Sequence, residues 1–560
     1  MVMQFMLNSK NLLHHKVLLI FEYSWGQATL RRIVAPFLVY SLQLIVMITK
    51  VLKRFLIVAV CFVSNCYAAD YVDEINNSME KREEGHRVIY EMNVGSFTPA
   101  GTFATAQDRL QDLKTLGVDI VWLMPVYPRG GGINSPYAAT NFQQTNPHYG
   151  TIADLKAFVD RAHELQMEVW LDWVPNHTAT DADWVTTHPE YYAMKNGQMI
   201  HPNNYGDVWQ LDYNNADLVN AMNDCLKFWI DEADIDGYRC DYISSPQIPA
   251  SYWQTTIPMI KSYQEGKTIT FLGEADIASD ATRLKAVGFD YDYAWQFQSS
   301  LANYGNGDAA ARLRAFVNTL LDKSSGISFD RMLYVTNHDQ NYNESKKTLT
   351  QKYGENRYAL TVLAYTVYGM PLIYNGQETG GNQVLDYFKD TKIDWTANDD
   401  KMRNTLRTLF ALKHAVPALY DTSATSILSV DNTSVLAYTR SMGDSEVLVV
   451  LNMGTSTSAA TVEGITAGDW SLWLNSETIA QGTSRKQEML DATHTFPLDA
   501  NGYRVYVRGL FPEQDGHTAI RTVSLKDQKG TDVWYDLKGH RLDAPRKGVN
   551  IRNGRKYWVK

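Results

Sequence analysis

Four short segments place acids, histidines and an arginine where apolar runs end. They are Asp172-Trp-Val-Pro-Asn176-His177, Gly237-Tyr-Arg239-Cys-Asp241, Gly273-Glu274 and Thr336-Asn337-His338-Asp339. A single carboxylate at a strand end is often only a helix cap or a salt-bridge partner. Four such ends in one chain suggest a group. Arg239 and Asp241 are two apart, so on a strand both side chains point the same way. An arginine beside a carboxylate favours its ionised form, as a nucleophile requires. Adjacent strands lie about 4.8 Å apart, which would bring Asp241 near Glu274. Enzymes that cleave glycosidic bonds with retention hold two carboxyls about 5–5.5 Å apart. Negative neighbours are expected to raise the pKa of Glu274 and keep it protonated as an acid.

The elements that must position these residues alternate between strand and helix. The predicted strands are Val88–Asn93, Ile120–Met124, Glu168–Val174, Asp236–Asp241, Thr270–Glu274, Phe289–Trp295, Met332–Thr336 and Pro371–Tyr374. Between them lie stretches such as Thr105–Leu116 and Ile152–Leu165, apolar at helical spacing. Eight such units over about 330 residues predict an α/β fold, a (β/α)8 TIM barrel over 69–416. In that fold chemistry sits at the C-terminal ends of the strands, where the four segments fall. The longest gap, 177–216, predicts a small subdomain inserted after the third strand. Over 417–511 short alternating strands replace long helices, which predicts an all-β, antiparallel C-terminal sandwich.

The composition fits this reading. The chain has 560 residues, 45% hydrophobic and 20% charged, ordinary for a globular protein and unlike a disordered, collagenous or polytopic membrane chain. A net charge of −10 argues against generic binding of nucleic-acid phosphates. The 14 Trp and 33 Tyr suit surfaces that stack on sugar rings. No Gly-rich phosphate loop follows the seventh or eighth strand, which disfavours a phosphate-handling barrel enzyme.

The segments DWVPNH (172–177), GYRCD (237–241), GE (273–274) and TNHD (336–339) resemble, in order, the four signature segments of the α-amylase family, glycoside hydrolase family 13. SPYAATNFQQTNPHYGT (135–151) is similar to that family's segment after the second strand, and GMPLIYNGQE (369–378) to its eighth-strand segment. The resemblance covers about residues 88–510. It implies Asp241 as the nucleophile, Glu274 as general acid and then base, and Asp339 as the carboxylate that holds sugar hydroxyls and helps distort the ring. It also implies His177 and His338 as hydrogen-bond partners of the reacting sugar, Arg239 as the group orienting Asp241, and Tyr137 as the ring stacked beneath that sugar. Asp172 is expected to hold the site together. Trp173, Trp209 and Trp295 are read as cleft or core, and Cys240 as packing.

Departures from the family pattern set further expectations. Asn141 stands where many members have Asp, and Tyr242-Ile-Ser244-Ser245 stands where classical α-amylases often have a Lys-His pair. At these positions the resemblance does not carry over the usual contacts on the leaving-group side or one backbone ligand of the familiar calcium site, and calcium stays possible. Asn176 matches the family's side-chain calcium ligand and Asp212 is a second candidate; calcium usually takes six or more oxygens. No organic cofactor is expected.

The ends of the chain carry their own signals. Lys50, Lys53 and Arg54 precede the apolar run Phe55–Val63 and then Cys66-Tyr-Ala-Ala69. Basic residues, a short apolar stretch and small residues form a secretory signal. Residues 1–68 are accordingly read as an upstream extension plus signal peptide, with Met47 as the start and export to periplasm, cell surface or medium. An uncleaved anchor is the alternative. Residues 512–560 predict a basic β-hairpin tail turning at Asn553-Gly554; its last 40 residues hold eleven basic and four acidic side chains. It resembles C-terminal segments of exported Bacteroidetes proteins, which suits a sorting role, and a small structural cap is an equal reading.

The functional expectation is a retaining α-glucan hydrolase cleaving α-1,4 bonds in starch-type polysaccharide or maltooligosaccharides. A 4-α-glucanotransferase or an exo-acting α-glucosidase would use the same residues. A non-catalytic starch-binding surface protein is the alternative from another class. Such a protein would have lost a carboxylate, and all three are present.

Overall fold

The computed structural model describes residues 71–509, apart from 81, 83–84, 276–286, 421–422 and most of 303–329, and five short strands between 521 and 559. Eight parallel strands close into a barrel: β1 (Ile89–Met92), β2 (Ile120–Leu123), β3 (Glu168–Trp173), β4 (Gly237–Cys240), β5 (Thr270–Gly273), β6 (Tyr291–Tyr293), β7 (Asp330–Tyr334) and β8 (Met370–Tyr374). All eight predicted strands are present. β2 shows why: its IVWL run is buried at every position, as a strand enclosed on both faces requires. The barrel interior is filled rather than open. Ile89, Trp122, Trp170, Leu272, Tyr293 and Met332 are among the side chains packed there.

Outside the barrel, helices cover the strands with one apolar stripe each. Ile152–Glu164 begins at a capping box in which Thr151 and Asp154 satisfy each other's backbone N–H groups. It buries Leu155, Phe158, Val159 and Ala162, the spacing of a helix face. The helix predicted over Thr105–Leu116 is instead two pieces, Phe103–Gln107 and Leu110–Leu116. The break falls at Arg109, at φ −102° and ψ 1°, whose guanidinium lies 3.6 Å from the centre of the Trp395 ring.

The insertion after β3 contains two small antiparallel pairs, His177–Ala179 with Val208–Gln210 and Met194–Lys195 with Gln198–Met199. After the last barrel helix, Asp400–Ala415, comes the sandwich: β9 (Ala424–Ile427), β10 (Ser429–Val430), β11 (Val435–Met442), β12 (Ser445–Asn452), β13 (Ser458–Glu463), β14 (Gly468–Asn475), β15 (Lys486–Leu490), β16 (Thr493–Leu498) and β17 (Tyr503–Arg508). One sheet runs β9-β11-β12-β17-β14-β15 and the other β10-β13-β16. Strand alternation gives the larger sheet two buried faces. Val435, Ala437, Leu448 and Val450 meet Val462 and Phe496 of the smaller sheet. Leu436, Tyr438, Val447 and Val449 belong to the barrel's core. Arg440, fully buried, donates to the carbonyls of Thr366, Val367 and Tyr420.

Beyond 509 the chain forms a five-stranded sheet where a single hairpin was predicted: β18 (Arg521–Thr522), β19 (Trp534–Tyr535), β20 (Arg541–Leu542), β21 (Gly548–Arg552) and β22 (Arg555–Val559), in the order β18-β22-β21-β19-β20. The hairpin is its β21–β22 pair. Asn553-Gly554 and residues 1–70, with the predicted signal segment and Cys66, lie outside the described residues. Among the described residues, no helix is long and apolar enough to cross a membrane.

Candidate active site

Strand register sets the candidate acids at the barrel rim. Asp172 on β3 lies directly beside Arg239 on β4, and Cys240 beside Gly273 on β5. The ladder continues one residue past each strand end, where Asp241 N–H donates to the Trp173 carbonyl (2.8 Å) and Glu274 N–H to the Cys240 carbonyl (2.9 Å). The two carboxyls therefore leave the barrel side by side. Gly237 permits this packing, since a Cβ there would sit 2.7 Å from the Thr270 carbonyl and 2.8 Å from the Trp170 ring.

Arg239 is the hub. Its fully buried guanidinium donates from Nη1 to Asp172 Oδ1 and Asp241 Oδ1, each at 2.9 Å, and from Nε to Tyr293 OH at 3.0 Å. Nη2 lies 3.0 Å from Glu274 Oε2. The rings of Trp122, Tyr293 and Tyr137 surround the cation at 5.0, 5.4 and 5.8 Å. Asp172 is wholly buried, whereas Asp241 and Glu274 keep 13% and 15% of their side chains open. That opening is what a substrate needs.

A second polar chain reaches the same place from β7. His338 hydrogen-bonds Glu91 through Nδ1 and Tyr137 OH through Nε2, the latter at 2.8 Å. Tyr137 OH in turn donates to Asp172 Oδ2 at 3.2 Å. Burial would lower the His338 pKa, but Asp339 and Glu91 outweigh it and raise it to about 9. The imidazolium thus donates from both nitrogens. Asp339 opens a π-type turn, Asp339–Asn343. Its Oδ1 accepts from Asn343 Nδ2 (3.0 Å) and its Oδ2 lies 3.5 Å from His338 Nε2. Tyr137 stacks on His338 with ring centres 5.4 Å apart. His177, on the other side of Tyr137, is held neutral by burial, with its pKa pushed down to about 4. Its Nε2–H donates to the Tyr137 carbonyl (3.2 Å) and its Nδ1 accepts from Asn176 Nδ2 (3.2 Å).

Burial dominates the two outer acids. It raises Asp241 to about 6 against the opposing pull of Arg239, with Asp172 adding to the rise. It raises Glu274 to about 8, again against Arg239, with Asp241 and Asp339 adding to the rise. The expected influences are both present, Arg239 lowering Asp241 and negative neighbours raising Glu274, but removal from water is the leading cause in both. Glu274 also accepts the Tyr242 backbone N–H at 2.8 Å, delivered by a left-handed turn at Tyr242 (φ 44°). Near pH 7 the pair then holds one charged and one protonated carboxyl. The pH profile of kcat/KM on a maltooligosaccharide should rise through about pH 6 as Asp241 ionises and fall through about pH 8 as Glu274 loses its proton. Both limbs belong to the coupled pair. A profile flat across both values would contradict this geometry.

The structure thus gathers Asp241, Glu274, Asp339, Tyr137, Arg239, His177 and His338 at one rim, with Asp172 beneath. Trp173 is core, Trp209 stacks on His201, and Trp295 packs against Tyr293 and Tyr334. Asn141 donates to Asp183 Oδ2 at 2.7 Å, where an aspartate would face a second negative charge. Sequence reasoning missed Glu91, Trp122 and Tyr293. Glu91 had a legible signal, an acid inside the apolar run IYEM, because a buried charge is kept only with a partner. Tyr293 and Trp122 carried none.

The calcium expectation meets a poor fit. Asn176 Oδ1 already accepts from Ser245 Oγ (2.7 Å) and Gln210 Nε2 (3.1 Å), which uses both its lone pairs. Asp212 turns to its own loop, where Oδ1 accepts from Asn214 N–H (3.0 Å) and Nδ2 (2.7 Å). Among the described residues, no group of three or more His, Cys, Asp or Glu is placed to hold a metal.

The family description "Alpha amylase, catalytic domain" matches residues 71–415, which hold all eight barrel strands and every strand end of the site. The chain belongs to the α-amylase family. It is an enzyme of that family by its catalytic domain, and its relatives include hydrolases and transferases. Alpha-amylase MalA of Haloarcula japonica is 26% identical over 447 residues, 74% of this chain and 62% of the relative. A cyclomaltodextrin glucanotransferase of a Bacillus species is 26% identical over 450 residues, 70% of this chain and 59% of the relative. The chain thus spans about 60% of the length of these curated relatives. Among solved structures, the noncanonic maltogenic alpha-amylase AmyB of Thermotoga neapolitana shares the fold, with a TM-score of 0.64 at 23% identity over 76% of this chain and all of that one.

Proposed function

We propose that this α-amylase-family protein is a retaining α-glucan hydrolase that cleaves α-1,4-glucosidic bonds by double displacement. The observation that carries the reading is one buried guanidinium holding two largely buried but accessible carboxyls whose pKa values lie on either side of neutrality. Two titratable groups pushed apart in this way divide the roles of base and acid between them. Asp241 attacks the anomeric carbon as Glu274 gives its proton to the departing glycosidic oxygen. The product sugar leaves, and the glucosyl remainder is held as an ester on Asp241. Glu274, now a carboxylate, takes a proton from water, whose oxygen displaces Asp241 and restores the starting configuration. Asp339 and His338 would bind hydroxyls of the distorted sugar, with Tyr137 packed beneath its ring. Export is part of the same proposal, supported by the basic residues Lys50, Lys53 and Arg54 ahead of the apolar run Phe55–Val63.

One observation favours the exo-acting variant of this reading. Glu274 protonates the leaving group, so that group lies towards β5. The remaining sugars then run to the opposite wall, where the loops after β2 and β8 meet. There the buried Arg129 donates to Asp390 Oδ1 (2.8 Å) and the Tyr387 carbonyl (3.2 Å), and Asn134 Nδ2 donates to the Phe388 carbonyl (2.5 Å). Loops tied to each other in this way would leave less room on that side of the cleft, which is what supports the exo-acting reading. Product analysis on soluble starch and maltoheptaose separates the cases. Glucose or maltose released while iodine staining persists is the expected exo result, and mixed short oligosaccharides with early loss of staining would mean endo cleavage. Chains longer than the maltoheptaose supplied would mean that a sugar hydroxyl, rather than water, takes the intermediate. No change in either substrate would overturn the hydrolase reading.

A further inference from the structure

Gln210 ends the inner strand of the insertion and lies opposite His177 in register. Its side chain is buried, and its amide nitrogen is ringed by oxygens: the Asn176 carbonyl at 2.8 Å, Asn176 Oδ1 at 3.1 Å and the Leu211 carbonyl at 3.2 Å. Ser245, four residues after Asp241, donates its hydroxyl to the same Asn176 Oδ1 at 2.7 Å. Three oxygens turned inward on one point is the arrangement a cation would organise. Here an uncharged N–H2 group stands at that point.

We propose that Gln210 is a built-in substitute for a structural cation, so that the insertion is fastened to the catalytic strand ends without calcium. The lock joins three pieces: residue 176 after β3, residues 210–211 of the insertion, and residue 245 after β4. Calcium would need six or more oxygens. It would have to expel Gln210 Nε2, free Asn176 Oδ1 from two donors, and sit among buried neutral groups. A doubly charged ion there lacks the carboxylates that would balance it. The amide needs no such balance, because its two hydrogens are already placed on acceptors. Ser245 completes the arrangement with a side-chain donor.

The test is thermal unfolding of the full chain by calorimetry after exhaustive treatment with EGTA, with and without added calcium, alongside calcium content by mass spectrometry. A ligand that binds only the folded state raises the midpoint by mass action. The expected result is the same midpoint in both conditions and no stoichiometric calcium. A midpoint that falls with chelator and recovers with calcium, or one equivalent of bound calcium, would overturn the proposal. Gln210→Glu keeps the shape but replaces the donor with a carboxylate, which must repel the three oxygens. In EGTA this variant should unfold several degrees below the parent chain. Equal midpoints for Gln210→Glu and the parent in EGTA would show that the amide is not the lock. Neither readout depends on activity, so failure of the hydrolase assignment would leave this result standing.

Discussion

Asp241→Asn should lower kcat on maltoheptaose by about 10⁴-fold or more, the scale of losing a covalent nucleophile. The substitution is nearly isosteric, and Arg239 Nη1, now 2.9 Å from Asp241 Oδ1, can still donate to the amide oxygen. The guanidinium also keeps Asp172 and Glu274 around it, so the buried charge is not abandoned and the fold should persist. The loss is specific: an amide oxygen cannot displace a glycosidic oxygen. Removing the Asp241 charge also removes one of the causes that raise Glu274, so any residual activity should show its alkaline limb at lower pH. The measurement is single-turnover kinetics on purified variant with its unfolding midpoint recorded. A variant that folds and keeps a large part of its activity would remove Asp241 from the nucleophile's place.

Glu274→Gln should lower kcat on the same substrate by about 10²–10⁴-fold, the range for a positioned acid–base group. Its signature lies in the substrate dependence. A glucosyl fluoride loses its leaving group without full protonation, so ester formation should be far less impaired on the fluoride than on maltoheptaose. Breakdown of the ester still needs a base, and the intermediate should accumulate on Asp241. The alkaline limb near pH 8 should also disappear, because the group that loses its proton there is gone. Equal loss on both substrates would assign Glu274 a structural role. The nearby Tyr242 N–H, which donates to Glu274 Oε2 at 2.8 Å, can serve the Gln oxygen equally, so misplacement of the side chain is not the expected cause.

Much of this site was legible before any coordinates. The runs of β1 to β8 are short and mostly apolar, uninterrupted in β2 (IVWL) and broken by single charged residues in β1 and β6, and they fit strands enclosed on both faces. Since a TIM barrel places function at the C-terminal strand ends, the carboxylates at or near the end of each run, Asp172, Asp241, Glu274 and Asp339, stand out as candidates. Arg239 followed from its two-residue spacing to Asp241. The sandwich was legible from alternation over 417–511, although not every one of its strands carries that signal. β13, β15 and β16 mix polar and small residues on their outer faces and so carry a weak apolar signal.

Local sequence determined which residue types stand at the strand ends, because a strand of known direction leaves each side chain only two faces to occupy. Tertiary structure decided which of them meet and how they titrate. Glu91 reaches His338 across 247 residues of chain, a contact that exists only because barrel closure pairs β1 with β8 and so brings it near the end of β7. Arg129 meets Asp390 across 261 residues, and Gln210 meets Asn176 only once the insertion folds back on β3. The pKa ordering of Asp241 and Glu274 likewise follows from burial, and burial is a property of the packed chain. Charge types and spacing are written along the sequence; distance through space and exclusion of water come from closing the barrel.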